Sequence, residues 1–158
     1  MLFHVLFHTV SHKKTALIAA MLWSVACTQS PAQPTQDLAA VEAAVRAFAH
    51  MGDVQDADGL DRLLHPQFRA VVNRLFGSDE VSIMDKNLYL QLIRDEKIGG
   101  DQRQVHLVSV DVVNNQATVH AVLEGKALRF VTFVSLIKTA DGRWQVVGDL
   151  PDIAQMQP

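Results

Sequence analysis

An α+β fold, with a curved antiparallel sheet wrapped around about three N-terminal helices, is what this sequence predicts. Three observations predict it. Apolar residues recur at spacings of three and four before Gly99-Gly100, and the period switches to two from Arg103 onward. Tight-turn signals at Asn114-Asn115, Gly125 and Asp141-Gly142 then divide the alternating region into strands of similar length. Helices followed by a strand meander give an α+β arrangement rather than a parallel sheet. At 158 residues, 49% apolar and 20% charged, the chain is long enough for one domain with a core and too apolar to be disordered.

The first segment reads as an address. Lys13 and Lys14 precede twelve uncharged residues, Thr15 to Ala26, and Cys27 follows. A short cationic stretch, an apolar run of this length and small residues before a cut make a secretory signal, and the run is too short to span a bilayer. An alternative start at Val10 would set Val10-Ser-His-Lys-Lys directly before the apolar core. Cys27 is the only cysteine, so no intramolecular disulfide can form. Its place just after the apolar core resembles the lipid-attachment cysteine of bacterial lipoproteins, although Ser24 stands where that pattern has Leu. Ser24-Val25-Ala26 also suits plain cleavage before Cys27. Thr28 to Gln36, rich in Pro, Gln and Ser, has the composition of a flexible tether. The division expected is therefore signal peptide 1–26, tether 27–36 with Cys27 lipidated, and domain 37–153. Membrane contact would be through the lipid alone, on the periplasmic side of a bacterial membrane.

In the domain, Leu38, Val41, Val45 and Phe48 lie on one face of a helix that ends at Met51-Gly52-Asp53. Ala57 to Leu64 predicts a second, short helix, with Asp58 read as its cap and Asp61 on its surface, stopped at His65-Pro66. Phe68 to Phe76 reads as a strand or irregular hairpin closing at Gly77-Ser78. Ser82-Ile-Met-Asp85 has capping-box spacing, opening a third helix with Met84, Leu88 and Leu92 on one stripe. Val108, Val110 and Val112 then alternate with Ser109 and Asp111. Ala117, Val119, Ala121 and Leu123 form the next inward row. Residues 127–138 are apolar on both faces, Leu128, Phe130, Val134 and Leu136 against Val131, Phe133 and Ile137, as in a central strand covered on both sides. Residues 143–147 make the last strand.

The order and spacing of these pieces carry a resemblance. Val41-Glu-Ala-Ala-Val45 with Phe48, Asp58-Gly59-Leu60, Leu64-His65-Pro66, Val108 to Val112, Phe133 to Leu136 and the ending Asp141-Gly-Arg-Trp-Gln-Val-Val147 are similar to the nuclear transport factor 2-like superfamily. That superfamily includes ketosteroid isomerases and polyketide cyclases, and the likeness is greatest to its lumazine-binding branch. The resemblance implies a cone-shaped fold over residues 38–150 whose mouth holds a small molecule.

Candidate ligand-pocket residues are Tyr89, His106, Arg129 and Trp144, with Arg69 and Asn73 behind them. His106 shares strand parity with Val108 and Val110, which points it to the apolar side. Arg129 could fork onto an anion. Trp144 matches a position the family uses for packing. No residue is assigned as catalytic: an isomerase-like reaction needs a carboxylate base and a Tyr or neutral acid in the cone. Asp53, Asp58 and Asp61 stand near the mouth, but the first helix has no Tyr. His4, His8 and His12 have a spacing that would allow metal binding but lie in the segment expected to be removed. His50, His65, His106 and His120 show no metal-ligand spacing, and no Gly-rich phosphate loop or nucleophile elbow is present, so neither metal nor cofactor is expected. A net charge of -3 with no Lys/Arg block excludes a nucleic-acid binder.

The function expected is a non-catalytic module that binds a small, partly apolar molecule or another chain. The alternatives are an acid/base enzyme working in the cone and a dimeric assembly element with a solid cone, homodimeric through its sheet face. A carboxylate or His in the cone, with a shifted pKa and a hydrogen-bond partner, separates enzyme from binder.

Overall fold

The computed structural model describes residues 34–156. The signal segment and Cys27 lie outside the described residues. Helix α1 runs Pro34–Asp53, α2 Ala57–Leu63 and α3 Lys86–Arg94; the strands are β1 Leu64–Asn73, β2 Val81–Asp85, β3 Gln104–Val113, β4 Gln116–Glu124, β5 Leu128–Lys138 and β6 Trp144–Gln155. Helix α1 thus begins inside the segment read as tether. The six strands form one sheet in the order β2-β1-β6-β5-β4-β3. All neighbours are antiparallel except β1 and β6, which run parallel.

Each helix is placed by its apolar stripe. Val41, Ala44, Val45, Phe48 and Ala49 of α1 are buried, while Leu38 stands exposed one turn before them. They meet Leu60, Leu64, Phe68, Leu90 and Ile93 on one side. The inward rows of the sheet, Ala117, Val119, Ala121 and Leu123 of β4 and Val134 and Leu136 of β5, close the core on the other.

The second and third helices start elsewhere than their caps suggest. Asp56, not Asp58, caps α2, its Oδ1 accepting the Gly59 N–H at 2.8 Å. Asp58 faces Arg94, and Asp61 pairs with Lys86 at 2.9 Å. Residues 81–85 form β2 instead of a capping box, because they pair with residues 69–73 of β1. Asp85 is itself the N-cap of α3, accepting the Leu88 N–H at 2.9 Å. The helix therefore starts four residues after Ser82, and Leu90 and Ile93 are its buried residues, with Leu88 exposed.

Two β-bulges set which residues face inward. In β3 the register shifts between Leu107 and Ser109, so Val108 is the extra residue. In β6 it shifts across Val147, where Leu136 pairs with Val146 and Ser135 with Gly148. A bulge inserts one residue and reverses the side-chain alternation beyond it. Val105, Leu107, Val110 and Val112 accordingly pack on the core while His106 points outward. In β6, Trp144 and Val146 face inward before the bulge, and Asp149 and Pro151 after it. The second face of β5 is uncovered among the described residues: Phe133 is 48% exposed and Leu150 beside it 51%.

Candidate functional site

Between the inward face of β4–β6 and the end of α1 lies a cavity of about 270 Å³. Phe48 of α1, Tyr89 of α3, Leu123 of β4 and Phe130 of β5 supply most of its apolar wall. Phe48 and Tyr89 are stacked with ring centroids 6.1 Å apart, and Tyr89 meets the core residue Phe68 edge-on at 5.3 Å. The exposed Phe76 and Lys97 also belong to the lining and mark its open side.

The cavity wall is closed by the loop between α3 and β3. Gly99 has φ +88, and a Cβ there would sit 2.2 Å from the Gly52 carbonyl oxygen at the end of α1. Only glycine permits that approach in that conformation. Asp101 fastens the other end of the loop, its carboxylate accepting the backbone N–H groups of Lys126, Ala127 and Leu128 at 3.1–3.2 Å.

The polar focus is Asp149. Its Oδ1 accepts the Thr132 hydroxyl at 2.5 Å, and Thr132 is buried. Burial pushes the Asp149 carboxyl up to about 6, a rise that the Thr132 hydrogen bond and the Arg103 charge only partly offset. Burial, reinforced by the Asp149 charge, likewise raises the Tyr89 phenol above its ordinary range, so it stays a neutral donor.

Arg103 lines the same space but is committed elsewhere. Its Nε donates to Asp53 Oδ1 at 2.6 Å and its main-chain N–H to Asp53 Oδ2 at 2.9 Å. Nη2 donates to the Ala49 carbonyl at 3.1 Å, and the guanidinium lies 5.0 Å from the centre of the Phe130 ring. Both side chains of this ion pair are about nine-tenths buried, so each neutralises the other where water cannot.

Of the four pocket residues expected from the sequence, the structure brings only Tyr89 into the cavity. His106 is turned outward by the bulge at Val108 and is exposed. Arg129 lies on the outer parity of β5 and pairs with Glu124 at 3.2 Å. Trp144 is buried beside α1, donating from Nε1 to Asp37 Oδ1 at 3.1 Å, in a shallow groove apart from the cavity. Lys138 reaches the same oxygen at 2.6 Å, and these two donors hold the Asp37 carboxyl below its usual value. Arg69 donates to its neighbour's carbonyl, and Asn73 is exposed. Among the described residues, no group of three His, Cys, Asp or Glu side chains converges as metal ligands.

The sequence reading missed Asp149, Thr132 and Arg103. Thr132 carried a signal, since it shares inward parity with Phe130 and Val134. Asp149 carried none, because without the Val147 bulge its parity points outward.

None of the curated proteins compared with this sequence matches it. Among solved structures, an NTF-2 like protein of unknown function from Silicibacter pomeroyi superposes with a TM-score of 0.66 at 18% identity, covering 76% of this chain and 98% of its own. A ketosteroid isomerase-like protein from Erwinia carotovora atroseptica gives 0.62 at 16% identity, covering 78% and 98%. A cystatin-like fold protein from Burkholderia xenovorans gives 0.61 at 16%, covering 79% and 96%. At such identities these likenesses establish the fold. The sequence itself goes further, because residues 36–150 match the family model described as "Putative lumazine-binding", over the same stretch that builds the sheet, the helices and the cavity. The chain belongs to that lumazine-binding-like family of the nuclear transport factor 2-like fold.

Proposed function

We propose that this domain binds a small, largely apolar molecule in its cone, and that it does so as an exported protein anchored by lipid at Cys27. The observation that carries the binding reading is the cavity itself. It is about 270 Å³, walled by Phe48, Tyr89, Leu123 and Phe130, with the hydrogen-bonded carboxyl of Asp149 set among them. A largely apolar pocket with few, fixed polar groups is the usual form of a small-molecule site. Native mass spectrometry of the gently purified chain tests it: a stoichiometric adduct of a few hundred daltons supports binding, and a clean unliganded mass from every preparation counts against it. Export and anchoring rest on Lys13-Lys14, the apolar run to Ala26 and Cys27. Cells fed labelled palmitate should label the wild-type chain and not Cys27→Ser; equal labelling of both sinks the anchor.

A second reading, proton transfer on a small carbonyl compound, is favoured by Asp149 and Tyr89 together. A carboxyl titrating near 6 can act as a base near neutral pH, and a neutral phenol can steady an enolate oxygen. The phenol that α1 lacks would thus come from α3. Binding stands first because it is common to both readings and needs the cavity alone. Asp149-dependent wash-in of deuterium next to the carbonyl of a β,γ-unsaturated ketone would raise catalysis above binding, and its absence would leave binding alone. The third reading, a solid cone that only assembles dimers, loses support from the cavity. A homodimer through the outer sheet face stays part of our proposal, supported by the exposed Val108, Phe133 and Leu150. Phe133→Ser should then shift the sedimentation of the chain to a monomer.

A further inference from the structure

Resting on the reading of the cavity as a small-molecule site, we infer that its ligand is a cationic amine carried on a single-ring apolar body. Half of the Asp149 carboxylate is unused. Oδ1 holds Thr132, while Oδ2 accepts no hydrogen bond among the described residues. No buried side-chain oxygen there is left without a partner, so Oδ2 is open to the cavity rather than sealed in protein. A carboxylate oxygen facing an apolar space calls for a donor brought from outside.

The titratable and charged groups that line the cavity with Asp149 are Tyr89 from α3 and Lys97, Asp101 and Arg103 from the loop before β3, with Asp53 of α1 behind Arg103 as its partner. The strand partners of Asp149 on β1 and β5, Ala70 and Val134, carry no charge. Arg103 is already matched by Asp53 and gives its Nη2 to Ala49. Asp101 is consumed by three backbone N–H groups, and Lys97 is exposed on the open side. Among the described residues Asp149 therefore has no ion-pair partner of its own. An anionic ligand would meet an unmatched carboxylate, whereas an ammonium would supply the missing charge.

Phe48, Phe76, Tyr89 and Phe130 supply aromatic rings to the lining of the cavity that holds Asp149, and ring faces attract cations. The cavity has room for about nine waters' share of liquid volume, which fits one ring and a short amine arm.

Calorimetric titration of the purified chain with 2-phenylethylamine, 2-phenylethanol and phenylacetate tests this, since the three differ only in the charged or polar end. The amine should bind at least tenfold tighter than the alcohol at pH 7, and phenylacetate weakest. Because the free carboxyl titrates near 6, amine affinity should fall about tenfold from pH 7 to pH 5 as Asp149 takes up its proton. Asp149→Asn should erase the amine's advantage and keep the alcohol. The wild-type pH series decides the matter without any variant should Asp149→Asn fold poorly. Alcohol binding equal to or tighter than amine, or amine affinity that rises on acidification, overturns the amine and leaves the pocket reading standing. Failure of all three probes to bind overturns the pocket reading itself.

Discussion

Asp149 stores an energetic cost that the rest of the core lacks. Its carboxyl titrates near 6 in the folded chain and near 3.9 in an unfolded one. Below about pH 4 it is protonated in both states and costs nothing; as pH rises through the window from 4 to 6, the folded state alone resists ionisation and stability falls. Asp149→Asn should therefore stabilise the unliganded chain by about 2–3 kcal/mol at pH 7 and flatten the dependence of urea-unfolding free energy across that window. A variant less stable at pH 7 would contradict the placement of this residue. Packing residues behave in the opposite way. Phe68 is fully buried, and Phe68→Ala should cost about 3–5 kcal/mol by the same unfolding assay. His106→Ala and Arg129→Ala, both outside the cavity, should move stability by less than about 1 kcal/mol and leave ligand binding untouched. Residue identity was legible in part: the family resemblance marks Trp144 as a packing residue, and Tyr89 is among the candidate pocket residues. His106 and Asp149 were not, because each sits beyond a bulge that reverses parity.

Elements were more legible than their ends. The 3.6-residue period of α1 and the alternation of β4 and β5 survive because each buries one continuous face. The run 81–85 misled because a strand that caps a helix with its last residue imitates a capping box, and only the pairing with β1 decides between them. Residues 68–76 read as a strand or irregular hairpin closing at Gly77-Ser78; they hold most of β1, and the chain leaves that strand through Arg74 and Phe76, left-handed without being glycine, and then Gly77. The apolar outer face of β5 looked like a covered strand, yet nothing among the described residues covers it. Elements are also joined by charge. Asp53 and Arg103 tie the end of α1 to the start of β3, both nearly out of water. Removing one partner strands the other, so Asp53→Ala should destabilise the fold by about 3 kcal/mol, more than loss of an exposed pair such as Arg143–Asp141. Equal, small effects of the two would mean that water reaches Asp53.

At the scale of the whole molecule, the sequence order of helices and strands led to the correct fold and family, because that order leaves few ways to bury every apolar face. The cavity was beyond its reach: a packed cone and an open one have the same pattern of apolar residues, and the difference lies in which side chains stop short of one another. Binding in that cavity is the central claim, and residue-resolved NMR reads it most directly. On titration with 2-phenylethylamine, amide shifts in a ¹⁵N-labelled chain should concentrate at Phe48, Tyr89, Phe130, Thr132 and Asp149. Shifts confined to the groove beside Trp144 or to the outer face around Phe133, or none at millimolar probe, would contradict it.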